Sequence, residues 1–157
     1  MKLLVILLLL LGQTAVDDAA RTSSTSVITL ERTGCFGTCP VYKLTIFKDG
    51  NVLFEGKEYV RQEGKASGKI SQKALKDLIA QFQSIDYVNL RSSYVSQGKE
   101  CPEWWTDSPG AITSLTFEGK TKTINHYHGC RGVPVLDSLT ELEDKIDKAV
   151  NSDQWIK

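Results

Sequence analysis

The sequence has no excess of charge of either sign: 19 Lys and Arg stand against 19 Asp and Glu in 157 residues. That excludes the strongly basic balance of a nucleic-acid binder and the like-charge block of an electrostatic tail. Long apolar runs are missing too. The longest, Leu3 to Leu11, would rise about 13 Å as a helix, less than half of the roughly 30 Å of a bilayer core. There is no internal repeat and no low-complexity run. There is also no Gly-x-Ser-x-Gly elbow for a nucleophilic serine. Gly64-Lys-Ala-Ser-Gly68-Lys69 fails the spacing of a phosphate loop, because only three residues separate the glycines and Ile70 follows the lysine. The carboxylate pairs Asp17-Asp18 and Glu143-Asp144 fall in the leader and on what reads as the wet side of a helix, so they do not suggest glycosidase acids. No cofactor is expected, no residue is assigned as a metal ligand and no residue is assigned to catalysis.

What is present begins with the amino terminus. Met1 and Lys2 form a short positive start, Leu3 to Leu11 an apolar stretch, and the small residues Ala15 and Ala20 frame a cleavage region. This is the three-part layout of a secretory signal peptide. Residues 1–20 are therefore expected to be a signal peptide, cut within 15–20. Residues 21–25 are expected to be a flexible lead-in and 26–157 a single domain. No cysteine follows the apolar run, so a lipid anchor is not expected. The expected location is secreted or periplasmic, with no transmembrane span in the mature chain.

Export changes the meaning of the four cysteines, Cys35, Cys39, Cys101 and Cys130. Outside the cytosol an even cysteine count argues for disulfides before metal or catalysis. Of the three possible pairings, the spacing favours Cys35–Cys39 and Cys101–Cys130. Gly34, Gly37 and Pro40 allow a tight turn around the first pair. The Cys-x3-Cys spacing is not the Cys-x-x-Cys of thioredoxin-like redox sites.

Periodicity supplies the map. Val27–Arg32 reads as a strand, Val41–Lys48 alternates well, and Asn51–Val60 continues after the turn signal Asp49-Gly50. Residues 61–69 are rich in Gly and Lys and are expected to be a loop. Ser71 is a good helix cap, and Leu75, Leu78, Ile79 and Phe82 recur at helical spacing over 72–84. Residues 91–110 show no period. Ile112–Phe117 and Thr121–Tyr127 flank a second hairpin turn. Pro134 suits the first turn of a helix whose stripe is Leu136, Leu139, Leu142, Ile146 and Val150. Trp155 and Ile156 are expected to fold back onto the domain. The expected class is α+β: an antiparallel sheet of about five strands with two helices on one face, in the order β-β-β-α-β-β-α.

The stretch Gly34-Cys-Phe-Gly-Thr-Cys-Pro-Val-Tyr-Lys-Leu44, with the Asp49-Gly50 hairpin after it, resembles the signature of a family of exported bacterial domains of unknown function. Its most specific part is the Cys-x-Gly-x-Cys-Pro-x-Tyr core at residues 35–42. Ser67–Ser71, Thr106–Pro109, His126–Cys130 and Leu139–Asp147 also match, so the resemblance spans about residues 26–156. It implies export and one compact domain, and it implies no activity.

Two segments carry candidate binding chemistry. His126-x-His128-x-Cys130 is the one metal-like spacing, since residues two apart on a strand share a face. The sulfur, however, is expected to be oxidised. The aperiodic loop holds Trp104 and Trp105 between two prolines, with Asp107 close behind; Asp107 is expected to accept backbone N–H bonds that fix the turn. Exposed tryptophans make good hot spots; the alternative reading is that both pack as a lid over the sheet edge. The candidate ligand or partner surface is therefore Trp104, Trp105, Asp107, His126, Tyr127 and His128. The expected function is a disulfide-stapled, non-catalytic binding or interaction module. Its partner would be an envelope or extracellular protein or ligand, not a nucleic acid. The alternative is a metal-dependent protein or enzyme using the His126/His128 region.

Overall fold

A computed structural model describes residues 26–157. The expected signal peptide and lead-in, residues 1–25, lie outside the described residues. Strands β1 (Ser26–Thr33), β2 (Val41–Phe47), β3 (Asn51–Glu58) and β4 (Gly64–Lys69) are successive antiparallel neighbours. After helix α1 (Gln72–Ser84) come the two-residue strands β5 (Ser93–Tyr94) and β6 (Glu103–Trp104). Strands β7 (Gly110–Phe117) and β8 (Lys120–Tyr127) then form a hairpin that pairs through β7 with β1. Strand β5 joins β8 in parallel, which completes a seven-stranded sheet of order β4-β3-β2-β1-β7-β8-β5. A separate ladder joins β6 to β9 (Cys130–Arg131). Helix α2 (Pro134–Val150) and the short α3 (Asp153–Ile156) close the chain.

The class is α+β and the sheet is largely antiparallel, as read from periodicity, but it has seven strands instead of about five, and there are three α-helices among the described residues. The expected loop at 61–69 contains β4. That strand shows no apolar alternation because it is a sheet edge: Lys65, Ser67 and Lys69 are exposed, and only Ala66 and Gly68 turn towards the core side. Lysine on an edge strand also discourages pairing with another chain. Strands β5 and β6 are too short for a periodic signal.

The alternation of the central strands puts Ile28 and Leu30, Tyr42, Leu44 and Ile46, Val52 and Phe54, and Ile124 on one face. These residues form a single buried cluster with Leu75, Leu78 and Phe82 of α1 and Leu139, Leu142 and Ile146 of α2. Ser71 caps α1 by accepting the Ala74 N–H at 3.1 Å, and Pro134 occupies the first turn of α2. Trp155 does fold back. Its ring stacks on Phe54 at a centroid distance of 4.9 Å, and its carbonyl accepts the Gln62 N–H at 2.9 Å. None of the helices among the described residues is long and apolar enough to cross a membrane.

Candidate functional site

Two constellations lie at the end of the sheet where β8 passes into β9, and they sit on opposite faces. His126 and His128 have one parity on this stretch of chain; Tyr127 has the other.

On the helix side, His126 and His128 converge on one carboxylate. His126 Nδ1 lies 2.9 Å from Glu143 Oε1, and His128 Nε2 lies 2.7 Å from Glu143 Oε2. Glu143 is fully buried and His126 nearly so, while His128 is about one-fifth exposed. Arg32, at the end of β1, donates to Glu143 Oε2 at 3.3 Å, to Asp144 at 2.9 Å and to Asp147 Oδ2 at 2.8 Å. Tyr42 donates to Asp147 Oδ1 at 2.6 Å. Burial works to raise the pKa of the Glu143 carboxyl, but hydrogen bonds and charge from the two imidazoles outweigh it and hold the group below its ordinary value. Burial would lower the Arg32 pKa, yet the carboxylates of Asp147 and Glu143 keep it above normal. The Tyr42 hydroxyl is pushed up, first by burial and then by Asp147. Such a cluster survives burial only when its members are mutually satisfied. Among the described residues no buried side-chain nitrogen or oxygen lacks a partner.

His126 and His128 also line an open cavity of about 370 Å³, with Cys130, Arg131, Leu136, Asp137, Thr140 and Glu141 around it. The donor atoms of His126, His128 and Glu143 all lie within 4.8 Å of one another, a grouping able to hold a metal ion.

On the other face, the Tyr127 ring packs tilted against Trp104 at a centroid distance of 4.6 Å, and its hydroxyl donates to the Trp105 carbonyl at 2.9 Å. The Trp105 N–H donates to the Gly129 carbonyl at 2.8 Å. Glycine is required at 129, because a β-carbon there would collide with the Trp105 carbonyl. Trp105 itself is 58% exposed, and the Arg131 guanidinium lies over its ring, 4.7 Å from the centroid. Disulfide Cys101–Cys130 anchors this segment, and disulfide Cys35–Cys39 closes the loop that carries Phe36, which is 89% exposed. The two loops touch: the Phe36 N–H donates to the Asp107 carbonyl at 3.3 Å.

The candidate residues of the sequence thus divide. Trp104, Trp105 and Tyr127 come together, His126 and His128 come together, and Asp107 belongs to the aromatic loop through its backbone. The Asp107 side chain accepts the Thr106 hydroxyl at 2.9 Å, not the backbone N–H bonds expected of it. Glu143 corrects a second expectation. The sequence pattern puts it on a wet helix side, but it is one of the most buried residues in the chain. Its position carried a signal: 136, 139, 143, 146 and 150 is one continuous helical stripe, and Glu143 interrupts it. Arg32 likewise follows Ile28 and Leu30 in phase on β1. Charged residues in phase with apolar ones on separate elements mark a buried polar cluster.

No curated protein matches the sequence. A family match does exist, over residues 26–150, from the first residue of β1 to the last of α2. The chain belongs to DUF6438, a family of domains of unknown function.

Proposed function

We propose that this chain is an exported, non-catalytic binding module that docks a protein partner through the aromatic end of its sheet. The observation that carries the reading is the joint presentation of Phe36 and Trp105, both strongly exposed, on two disulfide-closed loops that hydrogen-bond to each other. Large apolar side chains held in place by covalent staples lose little freedom on binding, so more of the contact energy appears as affinity. Trp, Tyr and Arg are the residue types enriched in interface hot spots, and Trp104, Trp105, Tyr127 and Arg131 are gathered here. The signal-peptide layout of residues 1–20 and the disulfides support export to the envelope or beyond.

The test is site-specific photocrosslinking in the envelope of the producing cell. A photoreactive residue at position 105 should give a defined protein adduct that is lost with Phe36→Ser. The same probe at the exposed position 141, on α2, should not give it. Identical adducts from both positions, or none from position 105, would overturn the reading.

A further inference from the structure

We propose that His126, His128 and Glu143 form a binding site for one divalent transition-metal ion of the zinc class. Two imidazoles and one carboxylate are the donor set such ions take in sites that keep a coordination position open. The chain has two histidines in all, and both converge on a single buried glutamate. Neither β8 nor α2 could assemble the set alone. The sequence supplies the pair on one stretch of chain, and the packing of α2 over the sheet supplies the third donor.

The dimensions fit. Around a tetrahedral zinc with bonds of about 2.0–2.1 Å, neighbouring donor atoms stand roughly 3.3 Å apart. The hydrogen-bonded separations here are 2.9 and 2.7 Å, and the three donors lie within 4.8 Å of one another. To admit the ion the two hydrogen-bonded separations widen by about half an ångström and the widest donor separation, up to 4.8 Å, closes by up to about 1.5 Å, movements that side-chain rotation supplies.

The charge fits as well. Among the described residues Arg32 is the single guanidinium facing the three carboxylates of Glu143, Asp144 and Asp147. Metal coordination requires both imidazoles neutral; three carboxylates and one guanidinium then leave two negative charges, which a divalent cation balances as the two protons of charged rings otherwise would. Arg32 stays in place as the partner that orients Glu143, the supporting role that metal sites require.

The protons are accounted for. In the metal-free protein each ring nitrogen facing Glu143 can carry the N–H of that hydrogen bond. Coordination needs the lone pairs of those same nitrogens. In a neutral ring the proton moves to the other nitrogen, His126 Nε2 or His128 Nδ1. A protonated ring releases one proton to solvent. The cavity of about 370 Å³ lined by His126 and His128 provides access for the ion and room for a water as a further ligand.

The experiment uses the untagged mature chain, stripped with a chelator and titrated with zinc(II) and cobalt(II). The expected result is saturable binding of one equivalent of each, with visible cobalt(II) absorption of low-coordinate geometry. His128→Ala, a change at the least buried ligand, should weaken zinc(II) binding at least about tenfold while the protein stays folded. Glu143→Gln is a riskier variant because the site is buried. The second readout is therefore nitrogen-15 NMR of the two imidazoles in the unaltered protein, where both rings should shift together as zinc(II) is added. Absence of one-equivalent binding, equal affinity in His128→Ala, or unmoved imidazole signals at zinc(II) saturation would each overturn the assignment.

Discussion

Gly68 of β4 lies against the indole of Trp155: a β-carbon built on the glycine would stand 2.9 Å from the ring carbon Cη2. The glycine lets the chain end close over the sheet, where the indole stacks on Phe54. Gly68→Ala should therefore cost about 1–3 kcal/mol by overpacking. Paired with Trp155→Leu, which makes room, the same change should cost less than it does alone. A double-mutant cycle of denaturant unfolding measures the coupling, and strict additivity would contradict the contact.

The adjacent tryptophans should behave differently. Trp105 is 58% exposed and Trp104 is half-buried against Tyr127. With Trp155 and one loop tryptophan replaced, acrylamide should quench the remaining Trp105 more strongly than the remaining Trp104. Trp105→Ala should alter stability by no more than about 0.5 kcal/mol. Trp104→Ala should cost more, because it removes the ring packed against Tyr127.

The disulfides close rings of different size. On the chain-entropy description, Cys101–Cys130 contributes about 3.6 kcal/mol and Cys35–Cys39 about 2 kcal/mol. Replacing each pair by serines and comparing unfolding midpoints should give that order. Loss of Cys101–Cys130 should also increase hydrogen exchange at the Trp105 N–H, which is bonded to the Gly129 carbonyl next to Cys130.

Asp107 holds a left-handed backbone, with φ at +66°. Its side chain meets only the neighbouring Thr106 hydroxyl, so the backbone conformation outweighs the side-chain bond. Asp107→Gly should be as stable as the parent or more so, and Asp107→Ala less stable by about 1 kcal/mol. Thermal melts of the two variants check the order. A less stable glycine variant would point to the side chain instead.

Tyr87 is buried, and its hydroxyl lies 2.8 Å from the Thr113 carbonyl and from the Thr113 hydroxyl. Burial pushes its pKa up to about 12 from 10.0. The raised value means that the unfolded chain ionises first. Stability linked to this group is whole below pH 10 and is lost as the pH rises from there towards about 12. Tyr87→Phe should cost about 1–2 kcal/mol at pH 7 through the lost hydrogen bonds. The difference between the two proteins should shrink by pH 11. Unfolding curves at both pH values test the sign.

Local pattern was enough for much of this molecule. The alternation of Tyr42, Leu44 and Ile46 defines an inner strand face, Ser71 starts α1 where a cap should, Pro134 opens α2, and the cysteine spacing agrees with both disulfides. These are properties of neighbouring residues, and the physics that reads them acts over a turn or a strand. Strand β4 escaped because an edge strand buries too little to need apolar alternation, and its glycine answers to Trp155, a residue 87 positions away. The ionic cluster escaped for a related reason. Arg32, His126, His128, Glu143 and Asp147 come from β1, β8 with the residue after it, and α2, and none carries its partners in its own segment. Glu143 sits in phase with an apolar stripe, and that phase fixes which way it points. Whether a buried carboxylate there is ruinous or satisfied depends on what faces it across the core, and that was decided by the packing of α2 over the end of the sheet.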